Sequence, residues 1–261
     1  MISISTLAFL NQPLSDALFE IEKVCSRAEI FSEGLHDVIR GGASGGAGAS
    51  AGAGVDTDAI LSSYSLSYSL HAPMVNVNLA SPADSVRLAA LDVIQKSASF
   101  CQKHDISILV VHPGGLEEGG TLMDAKAAYL KSLPALQKIK DEYGIRLCIE
   151  NMPKIDELLF QKPDDIDLTG LEFILDIGHA QTAGCLDEFL KMPAAHYHIH
   201  DNDGVTDSHM GFGDGVIGFS KLEQIVSKAK REKAILVAEN KTAENALKTF
   251  EALKSVSASL F

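Results

Sequence analysis

Short runs of aliphatic and β-branched residues alternate with longer amphipathic stretches along most of this 261-residue chain. That alternation is typical of β-α units and of a parallel sheet. We predict eight strands, at residues 2–9, 28–32, 66–71, 106–112, 145–151, 172–177, 196–201 and 234–239. The predicted helices include 14 to about 27, 83–103, 122–141, 220–233 and 243 to about 253.

Eight strands that alternate with helices over about 250 residues match the count and size of a (β/α)8 TIM barrel. An open doubly wound sheet is the alternative, but no Gly-x-Gly-x-x-Gly turn follows the first strand. We therefore predict an α/β fold, with one TIM-barrel domain over residues 1–261. Residues 41–54 are almost wholly Gly, Ala and Ser, which predicts a flexible loop. It is either a lid over the site or an inert insertion, and we favour the insertion.

Polar residues collect where the predicted strands end, which is where TIM barrels place their chemistry. Every strand from the third to the eighth delivers a potential metal ligand to the same rim. The third, fourth and fifth strands end in His71, His112 and Glu150. The sixth ends in Asp176, with His179 just after it. The seventh carries His198 and His200, either of which could be the ligand, with Asp207 and His209 in the loop that follows, and the eighth ends in Glu239. A single buried histidine would be ordinary, whereas six consecutive strand ends of this kind indicate a metal site.

The densest part of this pattern lies at residues 196–209, which hold four of the nine histidines. A period of two places His196, His198 and His200 on one face of a strand. We read this face as the wall of a metal site, and a polar surface hairpin is the alternative. Imidazole and carboxylate without thiolate suit zinc, manganese or cobalt. Four carboxylates and five imidazoles exceed what one ion can hold, and a single ion would leave five of these nine residues as spare polar groups. We predict one to three divalent ions.

Composition narrows the class of protein. A hydrophobic content of 46% and a charged content of 22% are those of a globular protein. No apolar run approaches the roughly 20 residues of a membrane span, and the N-terminus lacks the basic region of a signal peptide. Four widely spaced cysteines indicate no disulfide framework. We therefore expect a cytoplasmic protein without a membrane partner. The net charge of −13 does not indicate the positively charged surface that nucleic-acid binding requires. The sequence does not indicate the oligomeric state.

At its strand ends the chain resembles the xylose-isomerase-like TIM-barrel superfamily, which includes sugar phosphate isomerases/epimerases and endonuclease IV. The resemblance runs from about His71 to Glu239. It rests on the segments Leu70-His71-Ala72-Pro73, Val111-His112-Pro113-Gly114, Ile149-Glu150-Asn151, Asp176-Ile177-Gly178-His179-Ala180, His198-Ile199-His200-Asp201-Asn202, Asp207-Ser208-His209 and Ala238-Glu239.

Similarity to the isomerases implies one divalent ion held by Glu150, Asp176, His198 and Glu239. The ion would hold adjacent oxygens of a hydroxy-ketone, while Glu150 and Glu239 move a proton through an enediol. The same similarity favours His198 over His200 as the strand-seven ligand, although strand geometry alone does not separate the two.

Four further residues have roles that the sequence suggests but does not fix. His200, Asn151 and Lys241 are candidates for binding the substrate. Asn151 could instead orient neighbouring carboxylates, and Lys241 could be a solvated lysine at the start of a helix. Glu29 in the second strand could reach the floor of the site or pair with a helix residue.

Endonuclease IV resembles the chain at all nine rim positions, and this similarity implies a trinuclear zinc site. The first ion would have His71, His112 and Glu150, the second Glu150, Asp176, His198 and Glu239, and the third His179, Asp207 and His209. Such a site cleaves a phosphodiester beside an abasic nucleotide.

Three departures count against DNA repair. The rim loops are nearly bare of Lys and Arg, and a duplex-binding surface needs several phosphate contacts. Met74 and Val75 stand where endonuclease IV has bulky side chains that wedge into DNA. The loop after the second strand, which in endonuclease IV carries basic DNA contacts, is here the Gly/Ala-rich run with only Arg40 nearby. We therefore rank an isomerase or epimerase of a small sugar or sugar phosphate first. A zinc phosphodiesterase acting on nucleic acid comes second, and a non-catalytic metal- or sugar-binding barrel third.

Overall fold

The computed structural model describes residues 1–40 and 56–260. Eight parallel strands close into a barrel, in which each strand pairs with the next and the last pairs with the first. The strands are β1 Ile2–Ser5, β2 Arg27–Phe31, β3 Ser67–His71, β4 Ile108–Val111, β5 Arg146–Glu150, β6 Glu172–Asp176, β7 His196–Ile199 and β8 Ile235–Ala238. The predicted TIM barrel is confirmed.

Helices connect the strands and cover the outside of the barrel. They are α1 Leu14–Glu22, α2 Thr57–Ser62, α3 Asp84–Lys103, α4 Leu122–Tyr143, α5 Ile177–Thr182, α6 Leu186–Phe189, α7 Phe219–Glu232 and α8 Ala243–Ser259. Short 3-10 helices lie at Thr6–Phe9 and Gly34–His36. Within the described ranges, no helix has the length and apolar character needed to cross a membrane.

Several boundaries differ from the prediction. The first strand stops at Ser5 instead of residue 9, because the Ser5 hydroxyl accepts a backbone hydrogen bond at 3.3 Å and caps the 3-10 helix that follows. Helix α1 ends at Glu22 instead of about residue 27, and α8 continues to Ser259. The predicted flexible loop at 41–54 lies outside the described residues.

Alternation along the strands gives the barrel two apolar layers. Outward-facing side chains such as Ile4, Leu109 and Leu175 pack beneath the helices in one large cluster. Inward-facing side chains fill the barrel and form a separate cluster of Ile108, Val110, Cys148, Ile174, Ala195, Ile235 and Val237. The lower interior of the barrel is therefore a packed apolar floor.

On four strands, the inward-facing position that follows the last apolar one is polar. The pairs are Val110 and His112, Cys148 and Glu150, Ile174 and Asp176, and Val237 and Glu239. Residues two apart point to the same face of a strand, so the polar layer lies directly above the apolar floor. This places it at the C-terminal end of the barrel, where the sequence predicts the site.

Candidate metal centre

Side chains from the C-terminal ends of β3 to β8 bring their ligand atoms together in three neighbouring groups. The central group is Glu150, Asp176, His198 and Glu239; the side group is His71, His112 and Glu150; the loop group is His179, His200, Asp207 and His209. The ligand atoms of each group lie within 4.8 Å of one another. All nine residues predicted as ligands are thus brought together, and His200 joins them.

The central group is arranged around Nδ1 of His198. This nitrogen lies 2.9 Å from Oε1 of Glu150 and 3.2 Å from Oε2 of Glu239. Oδ2 of Asp176 is 3.9 Å away, and all four side chains are buried. Three carboxylates beside a neutral imidazole carry a formal charge of −3, which one divalent ion would reduce to −1.

These residues fit a divalent metal ion. Oδ2 of Asp176 and Oε1 of Glu239 are buried and accept no hydrogen bond from any residue in the described ranges. An unpaired buried carboxylate oxygen is costly, and neighbouring carboxylates repel one another. A cation between them would relieve both effects. The imidazole and carboxylate donors match zinc, manganese or cobalt.

Glu29 holds the central histidine from below. Its Oε1 lies 2.6 Å from Nε2 of His198, and its Oε2 lies 2.7 Å from Nε2 of His196 and accepts a 2.8 Å hydrogen bond from Ser69. When the His198 proton resides on Nε2, the ring donates to Glu29 and turns the Nδ1 lone pair toward the central carboxylates. Glu29 therefore lies at the floor of the site and does not pair with a helix residue, which was the alternative.

The crowding of acids and imidazoles changes their protonation. Burial alone would lower the pKa of His198, but the surrounding carboxylates, Glu239 first, raise it well above its usual value. Burial alone would raise the pKa of Glu150, but the neighbouring imidazoles, His198 first, hold it well below its usual value. Without a metal ion, protonated His198 is thus the counter-charge of the central carboxylates.

The side group shares Glu150 with the central group. The Nε2 atoms of His71 and His112 lie 3.2 Å apart, and they lie 3.3 and 3.2 Å from Oε2 of Glu150. Nδ1 of His71 bonds to the carbonyl of Ala72 at 2.8 Å, which leaves Nε2 facing the group. Burial lowers the pKa of His112, so this imidazole is available in its neutral, metal-binding form.

The loop group joins α5, the end of β7 and the loop after it. Oδ2 of Asp207 lies 3.0 Å from Nε2 of His209 and 3.6 Å from Nε2 of His179, and Oδ1 lies 3.7 Å from Nε2 of His200. The rings of His200 and His209 stack at 3.9 Å. Burial alone would lower the pKa of His179, but Asp176 and Asp207 raise it to about 10.

The other predicted contact residues mainly support the backbone. Asn151 donates to the carbonyl of Asp176 and accepts from its N–H, each at 2.9 Å. Lys241 is half exposed, and its Nζ donates to the carbonyl of Asp207 at 2.7 Å. His200 is fully buried. Their roles in binding substrate stay predictions, and the placement of Asn151 and His200 does not favour them.

A cavity of about 1040 Å³ opens above the three groups. The possible ligands on its floor are His71, His112, Glu150, His179, Asp207, His209 and Glu239. Its walls are mainly apolar and include Leu7, Leu10, Phe31, Val75, Val86, Ile155 and Leu158. In the described part of the chain, Lys241 is the only Lys or Arg that lines it. The cavity can therefore hold a small polar molecule against the metal ligands, between mainly apolar walls.

The strand-seven histidines share the inward face, as predicted, but they lie in three different surroundings. His196 lies below the site on Glu29, His198 belongs to the central group, and His200 belongs to the loop group. A strand rises about 3.3 Å per residue, so alternate side chains stand roughly 7 Å apart and do not share one ion. That spacing was the available signal for separating them.

Fold and rim together define a TIM barrel with a candidate metal centre at its C-terminal end. The profile of the family described as xylose isomerase-like TIM barrel matches residues 51–256, and the chain belongs to this family. The family predicted from the rim motifs is confirmed.

Known relatives and solved structures agree with this assignment. An uncharacterised protein of Methanocaldococcus jannaschii is 32% identical over 241 residues, which cover 90% of each chain. The crystal structure of a D-tagatose 3-epimerase-like protein matches with a TM-score of 0.83 and 26% identity, covering 99% of this chain and 97% of the other. The IOLI protein, solved with a zinc atom, shares the fold at a TM-score of 0.73 and 16% identity, covering 100% and 99%.

Proposed function

We propose that this protein is a divalent-metal-dependent isomerase or epimerase of a sugar. The observation that carries the proposal is the central group, in which Glu150 and Glu239 face a cavity with mainly apolar walls above an apolar barrel floor. The similarity to a D-tagatose 3-epimerase-like protein supports the same general kind of reaction.

Glu150, Asp176, His198 and Glu239 would hold the ion, with zinc, manganese or cobalt as candidates. A bound ion would polarise the carbonyl of a hydroxy-ketone and make the neighbouring C–H more acidic. Asp176 and His198 lie beneath the cavity, outside its lining, so they serve to bind metal. Glu150 and Glu239 reach the cavity itself and are therefore the groups that can touch substrate.

The two glutamates supply the proton transfer. One carboxylate would remove the proton from the hydroxyl-bearing carbon next to the carbonyl, which gives an enediolate. In isomerisation the proton would return to the former carbonyl carbon while the hydroxyl proton moves to the former carbonyl oxygen. In epimerisation the other glutamate, in its protonated form, would deliver a proton to the opposite face of the same carbon. The low pKa of Glu150 keeps its carboxylate ionised and able to accept a proton.

The charges at the cavity favour a neutral sugar over a sugar phosphate. A central group of charge −3 with one divalent ion keeps a net charge of −1, which does not attract a phosphate. Lys241 is the only cationic side chain in the lining that the structure describes, and it already bonds to Asp207. Arg40 is occupied by Asp37 at 2.5 Å and Glu33 at 2.6 Å.

Phosphodiester hydrolysis is the second candidate, because the structure assembles all nine positions of the endonuclease IV pattern in three groups. Three dications against four carboxylates would leave a formal charge of +2, which would attract a phosphate. The apolar walls and the single lining cation speak against a nucleic acid, since a duplex needs several phosphate contacts.

A substrate panel separates the candidates. Protein freed of metal with a chelator is reloaded with zinc, manganese or cobalt and incubated with ketoses, their phosphates and an abasic-site duplex. We expect conversion of a neutral ketose, seen by NMR, and slower conversion of its phosphate. Duplex cleavage without sugar conversion would establish the second candidate. No turnover by metal-loaded protein would favour a binding barrel. A cytoplasmic location stays a prediction.

A further inference from the structure

The lining of the cavity differs between its two sides. At or after the ends of β6, β7 and β8, each lining residue that the structure describes is a histidine, a carboxylate or a lysine: His179, Asp207, His209, Glu239 and Lys241. Apart from the possible metal ligands, the lining that follows β1 to β5 is mainly apolar. This apolar side is defined by Leu7, Leu10, Phe31, Val75, Val86 and Ile155. The cavity is therefore polar on one side and apolar on the other.

The polar groups on the apolar side are occupied or exposed. Oε1 of Glu33 accepts two backbone hydrogen bonds at 2.7 and 2.8 Å, and its Oε2 lies 2.6 Å from Nη2 of Arg40. The side chain of Asn78 donates to one backbone carbonyl at 3.0 Å and accepts two backbone hydrogen bonds at 3.0 and 3.1 Å. The other polar lining residues of this side, among those described, are exposed to solvent: Asn76, Ser85 and Glu157. A sugar hydroxyl would find few free partners here, and a buried hydroxyl without a hydrogen bond is costly.

The apolar side also leaves large side chains uncovered. Val75 is 53% exposed, Ile155 45% and Val86 40%. Exposed apolar surface that is continuous with a cleft is typical of a ligand-binding groove. The cavity volume of about 1040 Å³ lies at the upper end of pockets that enclose whole drug-sized molecules, roughly 300–1,000 Å³. A single ketose is much smaller and would leave the apolar side uncovered.

We propose that the substrate is an amphipathic ketose. Its hydroxy-ketone end lies at Glu150 and Glu239, and an apolar substituent at its other end lies against the apolar side of the cavity. Burial of that substituent removes apolar surface of both partners from water, which is favourable. The inference rests on the proposed function, which places the hydroxy-ketone at the central group, and it adds the chemical class of the rest of the substrate.

The test uses the methyl, butyl and hexyl mono-ethers of dihydroxyacetone as probes. Each has the same achiral hydroxy-ketone and differs only in its alkyl group, so the length of the apolar part is the single variable. Calorimetric titration of the zinc-loaded, full-length protein measures their affinities. 1-Hexanol, which has the chain without the hydroxy-ketone, is the control ligand.

We expect affinity to rise about threefold for each buried methylene, and the hexyl ether to bind at least about 30-fold more tightly than the methyl ether. 1-Hexanol should bind much more weakly than the hexyl ether, because it lacks the hydroxy-ketone. Equal affinities for the methyl and hexyl ethers would overturn the proposal. Equal affinities for 1-hexanol and the hexyl ether would also overturn it, because the two ends would then not be recognised together.

A pair of double variants locates the alkyl group. Val75→Thr/Val86→Thr places two hydroxyls on the apolar side and should weaken binding of the hexyl ether about threefold to tenfold, with the methyl ether unchanged. Val24→Thr/Val205→Thr makes the same chemical change at two exposed valines outside the cavity lining and should alter neither affinity. Equal losses in the two double variants would place the alkyl group elsewhere and overturn the proposal.

A second copy of the chain is the other possible occupant of the apolar side. Sedimentation of the zinc-loaded wild-type protein and of Val75→Thr/Val86→Thr separates the two cases. We expect the same oligomeric state in both proteins. A wild-type dimer that the double variant dissociates would assign the apolar side to a subunit interface and overturn the proposal.

The binding series is independent of the sugar assay. If the ethers bind with the expected dependence on chain length but no ketose or ether is converted, the proposed function fails and the amphipathic ligand class stands. If a ketose is converted but affinity does not depend on chain length, the proposed function stands and this inference fails.

Discussion

The central group and the loop group are built from the same residue types in different proportions. The central group has three carboxylates and one imidazole, and two of its members line the cavity. The loop group has one carboxylate and three imidazoles whose Nδ1 atoms are fixed by backbone carbonyls, and its members His179, Asp207 and His209 also line the cavity. With one divalent ion each, the formal charges would be −1 and +1.

This difference indicates a division of labour. A carboxylate-rich group beside a cavity offers bases that can accept a proton from a bound molecule. An imidazole-rich group offers nitrogen ligands to a metal ion and only one carboxylate that could act as a base. The two groups therefore present different chemistry to the same cavity.

The largest effect is expected from removing a proposed base in the central group. Glu239→Gln and Glu150→Gln should each lower kcat by about 10²- to 10⁴-fold, because the amide does not accept the proton. Glu251→Gln, an exposed change on α8, is the matched control and should leave kcat unchanged. Steady-state kinetics on metal-loaded protein measure the effect. Wild-type-like turnover in either the Glu150 or the Glu239 variant would show that the active site lies elsewhere.

Changing the support of His198 should have the next largest effect. Glu29→Gln removes the carboxylate that bonds Nε2 of His198, and metal affinity of the central group should fall about 10- to 100-fold. Ser69→Ala deletes only a neutral donor to the same carboxylate and should cost less. Calorimetric metal titration compares them. Equal metal affinity in Glu29→Gln and in the wild-type protein would show that Glu29 does not support the metal-binding form of His198.

Metal affinity should rise with pH. The pKa of His198 is raised well above its usual value, and that of His179 is raised to about 10. Both rings therefore carry a second proton in the metal-free protein at neutral pH, and each ring must lose that proton to bind a metal ion. For each proton released on binding, the apparent metal affinity should rise about tenfold per pH unit. Chelator competition from about pH 6 to pH 8 measures the slope, and a flat profile would contradict the coupling.

The last expected effect is on stability, at the contact between Gly178 and the ring of His200. Gly178→Ala places a Cβ against the His200 ring, so unfolding free energy should fall by about 1–3 kcal/mol. In a His200→Ala background the same change should cost less, because the ring is gone. Denaturant unfolding of the four proteins gives the coupling. Additive effects would show that ring and backbone do not compete for this space.

Local patterns in the sequence determined most of the fold and rim. The period-two pattern that leads to His112, Glu150, Asp176 and Glu239, at the end of a strand or directly after it, identified the barrel and the polar layer, because strand geometry fixes which residues share a face. The partner of Glu29 was not predictable, since it depends on β2 and β7 meeting across the barrel interior. The membership of His200 in the loop group likewise depends on a turn that local patterns do not specify.

The most direct measurement is a stepwise cobalt titration of metal-free protein, with ketose turnover and visible absorption recorded on the same samples. We expect turnover to rise as the central group fills with metal, and Glu150→Gln should remove both that binding step and turnover. Turnover that is retained in the metal-loaded Glu150→Gln variant would contradict the assignment of the reaction to the central group. A fully loaded protein that cleaves an abasic-site duplex and converts no ketose would contradict the assignment of the reaction.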